Sequence, residues 1–113
     1  MKKNPLVYVK HILDAIGNVA EDLEGMDFES FRADRRARQL LERNLEIISE
    51  ASRRIPDALK ETEKKIPWKA IAGIGNVLRH DYHQTYPVLL WETVEKDLPP
   101  LKEAMVRIER KCR

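Results

Sequence analysis

The sequence predicts an all-α protein, a bundle of four long helices with additional short helices, in one domain that spans residues 1–113. Apolar residues recur at steps of three and four along most of the chain, which is the spacing of one helix face. The alternation that predicts strands does not occur, and the chain contains only four glycines. A length of 113 residues suits a single domain with a modest core.

The first helix is predicted to begin at Asn4 and Pro5. Asparagine can cap the free backbone N–H groups of a helix, and proline is favoured in the first turn. Gly25 is the predicted stop, because glycine commonly follows the last turn of a helix. The apolar stripe of this helix has eight members: Leu6, Val9, Ile12, Leu13, Ile16, Val19, Ala20 and Leu23.

Residues 25–33 predict a loop that Phe28 and Phe31 hold to the core. Asp34 is predicted to cap a second helix that runs to about Ile55. At 1.5 Å per residue, this helix would span roughly 30 Å, the length of a small bundle. Its predicted apolar stripe is Ala37, Leu40, Leu41, Leu45, Ile48 and Ala51.

Prolines divide the second half of the chain into shorter segments. Pro56 ends the second helix, since proline cannot donate to the helical ladder, and residues 57–66 predict a short helical turn. Further helices are predicted to begin at residues 67–68 and at Pro87. Their apolar residues are Trp68, Ile71, Ala72, Ile74, Gly75 and Leu78 in the first, and Val88, Leu89, Trp91 and Val94 in the second.

The last predicted helix follows two adjacent prolines. Pro99 and Pro100 predict a kink or a restart of the helix. Leu101, Met105 and Ile108 then continue the helical spacing into the charged tail.

Composition excludes several classes of protein. The chain has 21 basic and 19 acidic residues and a net charge of +2, so it is no polycation that coats nucleic acid. It lacks an apolar run long enough for a membrane span, and Lys10, His11 and Asp14 interrupt any signal-peptide core. The single cysteine, Cys112, cannot form an internal disulfide, which fits a reducing compartment. We therefore expect a cytoplasmic protein that does not bind a membrane.

Two charged groups on the second helix leave alternatives open. Glu46 and Glu50 could be paired carboxylates, or ion-pair partners of Arg43 and Arg53 at helical spacing. A basic run nearby predicts either a solvated helix face or a surface that contacts phosphate or a partner. The run consists of Arg32, Arg35, Arg36, Arg38 and Arg43, against Asp34 and Glu42.

Residues 73–83 form the densest polar cluster of the chain. Gly73 and Gly75 do not match a dinucleotide-binding loop, because no strand precedes them, and they predict close helix–helix approach instead. His80 and His83 could share one helix face, but no second cluster supplies the remaining metal ligands. We therefore predict neither a metal nor another cofactor.

Acid–base chemistry is the remaining possibility for this cluster. Asn76 and His80 are four residues apart and share a helix face. His80 can titrate near neutral pH, and Arg79 can hold a phosphodiester and stabilise its developing charge. Tyr82 can orient a phosphate or a ribose. These groups suit cleavage of RNA by attack of its 2′-hydroxyl, although a His and an Arg at a helix C-terminus also simply favour the helix dipole.

The cluster also resembles a known family. Its residues are similar to the signature of HepT-like proteins, which belong to the HEPN superfamily of small helical nucleotide-binding and ribonuclease domains. The similarity covers nearly the whole chain, in residues 31–34, 45–51, 67–68, 71–82 and 91–101.

This resemblance implies a HEPN-like bundle and a toxin that acts as a metal-independent ribonuclease. The family works as a homodimer with the active site in the cleft where two motifs meet. His80 and Tyr82 match the family motif, and Asn76 matches the residue that follows the family's arginine. Gly75 stands where that arginine is expected, so the resemblance assigns phosphate binding to Arg79 only as a substitute.

The resemblance further implies a partner, an MntA-type nucleotidyltransferase antitoxin. In related pairs the antitoxin transfers AMP to the motif tyrosine, here Tyr82, with Tyr86 as a nearby alternative acceptor. Added charge and bulk would block the place where RNA phosphate sits. Two other functions stay open: a catalytically weakened module that binds a nucleotide or a partner, and a plain helical adaptor.

Overall fold

The computed structural model describes residues 4–80 and 86–112, with the backbone alone at positions 79 and 80. These ranges contain helices and no strand, which confirms the predicted all-α class. A 3-10 turn at Glu61–Glu63 and a π-helical turn at Thr93–Asp97 accompany the α-helices. The α-helices of the described ranges are α1 (Pro5–Asp22), α2 (Phe28–Ala33), α3 (Arg35–Arg53), α4 (Asp57–Lys60), α5 (Trp68–Ala72), α6 (Ile74–His80), α7 (Tyr86–Glu92) and α8 (Leu98–Cys112).

The longest helices, α1, α3 and α8, build the core. The helix α1 packs along both α3 and α8, and α5, α6 and α7 pack on α3. Each long helix buries most of the stripe that its spacing predicts, although Ala20 of the predicted α1 stripe is exposed. The buried residues include Val9, Ile12, Ile16 and Val19 of α1, Leu41, Leu45 and Ile48 of α3, and Leu101, Met105 and Ile108 of α8.

The caps predicted for α1 and α3 are present. The Asn4 side-chain oxygen accepts a hydrogen bond from the Leu6 N–H at 2.9 Å, and the Asp34 carboxylate accepts one from the Ala37 N–H at 3.0 Å. Gly25 follows α1 with a φ of 79°, a left-handed conformation that favours glycine. The predicted starts of α1 and α3 and the predicted stop after α1 are therefore confirmed, and α3 ends at Arg53, two residues before the predicted Ile55.

The loop predicted for residues 25–33 is wrong in part, because α2 lies within it. A reciprocal capping box starts this helix: the Ser30 N–H donates to Asp27 at 2.8 Å, and the Asp27 N–H donates to the Ser30 hydroxyl at 3.0 Å. Sequence spacing missed α2 because six residues are too few to show a stripe.

The predicted attachment of this segment to the core is confirmed. Phe31 is fully buried, and its ring lies 5.1 Å from the Trp91 ring between centroids. Phe28 meets the same indole edge to face at 6.2 Å. The segment thus joins α7 to the bundle through three aromatic rings.

Some predicted core positions are exposed instead. Leu40 is 45% exposed, and Asn44 takes the buried place one turn later, where its amide donates to the Leu40 carbonyl at 3.0 Å. In α7, Leu90 is buried while Val88 and Leu89 are 40% and 42% exposed. Each stripe is narrower than its apolar residues suggest, because each helix turns only one face to the helices that it packs on.

The prolines at the start of α8 produce a π-helical turn before them. The Leu98 N–H donates to the Thr93 carbonyl, five residues back. Pro99 and Pro100 lie in the first turn of α8, where a helix makes no use of an N–H group. The predicted kink or restart is thus a widened turn between α7 and α8.

A bidentate ion pair joins the 3-10 turn to α8. The Arg107 guanidinium donates to the two Glu63 carboxylate oxygens at 2.7 and 2.9 Å, and the Glu63 side chain is 9% exposed. These hydrogen bonds from Arg107 lower the pKa of Glu63.

Within the described residues, no helix is both long and apolar enough to cross a bilayer.

The first prediction concerns this ion pair. Because the folded-state pKa of Glu63 lies below the ordinary value of 4.5, the pair stabilises the protein above that pH. The contribution is lost as the pH falls through the lower folded-state pKa. We expect E63Q to melt below the wild type at pH 7, with a gap that narrows under acidic conditions, when unfolding is followed by circular dichroism.

The exposed Glu61 on the same turn supplies the control. E61Q removes an equal charge without breaking this pair, and it should leave the melting temperature nearly unchanged. A gap between E63Q and the wild type that stays constant with pH would contradict the role of the ion pair.

Candidate functional site

The polar cluster predicted as the site lies on α6 and directly after it. Asn76 is exposed on α6, and positions 79 and 80 end this helix. Position 80 follows position 76 by one helical turn, as the sequence predicts. Tyr82 lies outside the described residues, so its place beside Asn76, Arg79 and His80 stays a prediction.

A break in the helix at Gly73 separates α5 from α6. The N–H groups of Asn76 and Val77 both donate to the Gly73 carbonyl, at 3.0 and 3.2 Å. The carbonyl of Ala72 is therefore free to bond outside its own helix. The sequence predicts one continuous helix here, and that prediction is wrong because this carbonyl turns towards α3.

Two side chains of α3 bind the Ala72 carbonyl. The Ser49 hydroxyl donates to it at 2.8 Å, and the Arg53 guanidinium donates through Nη2 at 2.7 Å and Nε at 3.2 Å. The Ser49 oxygen in turn accepts the Gly75 N–H at 3.3 Å. Ser49 and Arg53 thus attach the start of α6 to α3, and they fix the backbone that carries Asn76.

The two glycines of the cluster differ in role. Gly75 is buried, and its N–H reaches a side chain of α3, which agrees with the predicted close approach. Among the residues that the structure describes, a Cβ atom at Gly73 would meet the Lys69 and Ala70 carbonyls of its own preceding turn, at 3.4 and 3.5 Å, and no atom of another helix. Close approach to another helix is therefore wrong for Gly73, which marks the helix break.

An open groove of about 500 Å³ lies beside Gly75. Its α1 side carries Tyr8 and His11, whose rings meet edge to face at 6.1 Å between centroids. Its α3 side carries three arginines and two glutamates. The charged residues along this side are Arg43, Glu46, Glu50, Arg53 and Arg54.

Ion pairs in this groove decide between two predictions for the glutamates. Glu46 lies 3.8 Å from Arg43, and Glu50 lies 3.5 Å from Arg53. Both glutamates are therefore ion-pair partners at helical spacing. Glu50 also lies 3.2 Å from Arg54, so one carboxylate is shared between two guanidinium groups.

The basic run at the start of α3 is largely exposed to solvent. Arg32 pairs with Glu29 at 2.8 Å, a contact that raises the pKa of the arginine. Arg38 donates to the Arg32 carbonyl. These internal partners favour the interpretation of the run as a solvated face.

A metal site receives no support from the described residues. Among them, no group of three or more His, Cys, Asp or Glu side chains is close enough to hold a metal ion. Asp81 and His83, which the sequence offers as possible ligands beside His80, lie outside those residues.

Sequence reasoning missed Ser49, the contact of Arg53 with Ala72, and the groove. A local signal existed for Ser49, since it interrupts the apolar stripe of α3 and is only 2% exposed. A buried hydroxyl in a stripe demands a hydrogen-bond partner. That partner, Ala72, lies 23 residues away, so the sequence alone could not identify it.

Comparison with known proteins identifies relatives over nearly the full chain. The family model described as ribonuclease HepT-like matches residues 12–108. A protein of Thermococcus cleftensis named as a probable ribonuclease HepT is 34% identical over 110 residues, which cover 97% of this chain and all of the relative. A protein of Caldanaerobacter subterraneus subsp. tengcongensis, named as a candidate RNase, is 36% identical over 109 residues, covering 96% and 97% of the two chains. No solved structure matches the chain.

The second prediction tests the attachment of α6. S49A leaves the Gly75 N–H without its acceptor, while Arg53 still binds the Ala72 carbonyl. Because an unsatisfied buried N–H is costly, we expect a loss of about 1–3 kcal/mol of unfolding free energy in urea titrations.

Ser52 provides a matched control, because it is a buried serine of the same helix that bonds only within α3, to the Ser49 carbonyl. S52A should cost less than about 1 kcal/mol. Equal losses for the two variants would show that Ser49 does no more than fill space.

Proposed function

The chain belongs to the HepT-like ribonuclease family, and we propose that it is an endoribonuclease toxin that cleaves RNA without a metal ion. The family match across residues 12–108 carries this proposal. The position of α6 supports it, because Asn76 is exposed and residues 79 and 80 end the helix one turn later. Polar groups at a helix end can meet a substrate from solvent.

In the proposed reaction, the 2′-hydroxyl of RNA attacks the adjacent phosphorus. His80 accepts the proton of that hydroxyl as the general base. The protonated His80 imidazole then donates a proton to the departing 5′-oxygen. The products are a 2′,3′-cyclic phosphate and a free 5′-hydroxyl, so no metal-bound water is required. Arg79 stabilises the charge on phosphorus oxygens, and Asn76 and Tyr82 orient the ribose and phosphate.

A second candidate function is a catalytically weakened module that binds a nucleotide or a partner. Gly75 favours this alternative, because it stands where the resemblance implies an arginine. The glycine is buried, and its backbone bonds to Ser49 on α3. In the ribonuclease proposal, Arg79, which directly precedes His80 in the sequence, supplies the guanidinium that Gly75 lacks.

We also propose a cytoplasmic homodimer in which two copies of α6 meet. Val77, next to Asn76, is 49% exposed, and Leu89 of α7 is 42% exposed. Both residues line an apolar groove of about 260 Å³ between α6 and α7. Burial of such a surface against a second copy would remove apolar area from water.

The proposed partner is an MntA-type nucleotidyltransferase that silences the toxin by transferring AMP to Tyr82. The transfer forms a bond between the tyrosine oxygen and the α-phosphorus of ATP and releases pyrophosphate. The added phosphate is negatively charged, so it would repel RNA from the end of α6.

The third prediction tests the nuclease. The purified wild type should cleave single-stranded RNA in the presence of EDTA, as resolved on denaturing gels. H80A should lower the cleavage rate by at least about a hundredfold, because general acid–base catalysis is lost.

H83A is the matched control, since His83 lies outside the family motif and was considered only as a metal ligand. It should cleave at nearly the wild-type rate. Cleavage by H80A equal to the wild type would contradict the role of His80, and a wild type that binds its partner without cleaving RNA would favour the weakened module.

The fourth prediction concerns the modified residue. After incubation with ATP and an MntA-type nucleotidyltransferase, the intact protein should gain the mass of one or more AMP groups. Y82F should abolish the gain, whereas Y86F should retain it. A gain that persists in Y82F and disappears in Y86F would assign the modification to Tyr86 instead.

A further inference from the structure

The groove between α1 and α3 combines an aromatic wall with a cationic wall. Tyr8 is half-buried and His11 is exposed on the α1 side, three residues apart. Arg53 and Arg54 end α3 on the opposite side. Proteins that bind single-stranded nucleic acid use this pair of features, because aromatic rings stack on bases and guanidinium groups bind phosphates.

The charges of the groove leave room for an anion. Within the described part of the chain, Glu46 pairs with Arg43, and Glu50 is shared by Arg53 and Arg54. Three arginines thus face two glutamates, so one positive charge is not neutralised. The Arg54 side chain is 59% exposed, and its guanidinium is accessible to a phosphate.

The location of the groove connects it to the proposed active site. Gly75 lines the groove, and Arg53 binds the Ala72 carbonyl directly before α6. Position 80 lies five residues beyond Gly75, roughly 8 Å along the helix. An RNA strand held at the end of α6 can therefore reach the groove with its neighbouring nucleotides.

We propose that this groove binds a nucleotide of single-stranded RNA that flanks the cleavage site. The exposed His11 ring stacks on its base, the Tyr8 ring supports His11 edge to face, and Arg54 binds the phosphate, with Arg53 beside it. The inference rests on the proposed function for its substrate class, and it adds a binding site that lies away from the motif residues.

The test is a binding measurement with a 2′-O-methyl oligonucleotide, which lacks the attacking hydroxyl and cannot be cleaved. Fluorescence anisotropy of the labelled oligonucleotide gives a dissociation constant for each variant. H11A and R54A should each bind about five- to tenfold more weakly, because a stacking contact or a phosphate contact is lost. H11F retains an aromatic ring and should bind within about twofold of the wild type.

Glu50 gives a prediction of opposite sign. E50Q removes the carboxylate that competes with phosphate for Arg53 and Arg54, so it should bind the oligonucleotide more tightly. R110A, an exposed arginine of α8 outside the groove lining, is the matched control and should bind like the wild type. Circular dichroism verifies that each variant is folded.

Several results would overturn the inference. They are wild-type affinity in both H11A and R54A, an equal loss in R110A, or no binding by the wild type. Unchanged oligonucleotide binding together with lost binding of the nucleotidyltransferase in H11A would assign the groove to a protein partner. The expected pattern in a protein that cleaves no RNA would support the groove and contradict only the proposed nuclease.

Discussion

The position of α6 depends on one backbone carbonyl, that of Ala72. The break at Gly73 releases this carbonyl from the helical ladder, and it accepts hydrogen bonds from Ser49 and Arg53 instead. The Ala72 residue is half-buried, and a carbonyl there without such partners would lose its hydrogen bonds, so the two side chains stabilise the break. The exposed edge of α6, with Asn76 on it, follows from this attachment.

The same attachment joins two surfaces into one. Arg53 contacts Ala72 and also lies within ion-pair distance of Glu50 in the groove beside α1. A shift of α6 would therefore disturb the charges of the groove, and a phosphate bound there would compete with Glu50 for Arg53. The Arg53 guanidinium therefore links the position of α6 to the charges of the groove.

Local signals in the sequence predict much of this fold. Asn4 and Asp34 predict the starts of α1 and α3, because a helix cap requires only residues within one turn. Local signals do not predict contacts between residues that are distant in the sequence. Glu63 and Arg107 are 44 positions apart, and the sequence around each of them is typical of an ordinary surface charge. The site divides in the same way. Spacing places Asn76 on a helix correctly, whereas the groove combines residues of α1, α3 and α6 that no motif connects.

The net charge of +2 does not oppose a function in RNA binding. Several charges pair within one helix, such as Arg32 with Glu29, and these pairs contribute little to long-range attraction. Glu50 pairs with two arginines, so one positive charge is not neutralised, and this charge lies in the groove that Gly75 also lines. A glycine at that position deprives the chain of the arginine that the family motif leads one to expect. The neighbouring helix α3 nevertheless brings the Arg53 guanidinium to the same groove. Positive charge beside α6 therefore comes from a residue of α3 that the fold places there, and not from the motif itself.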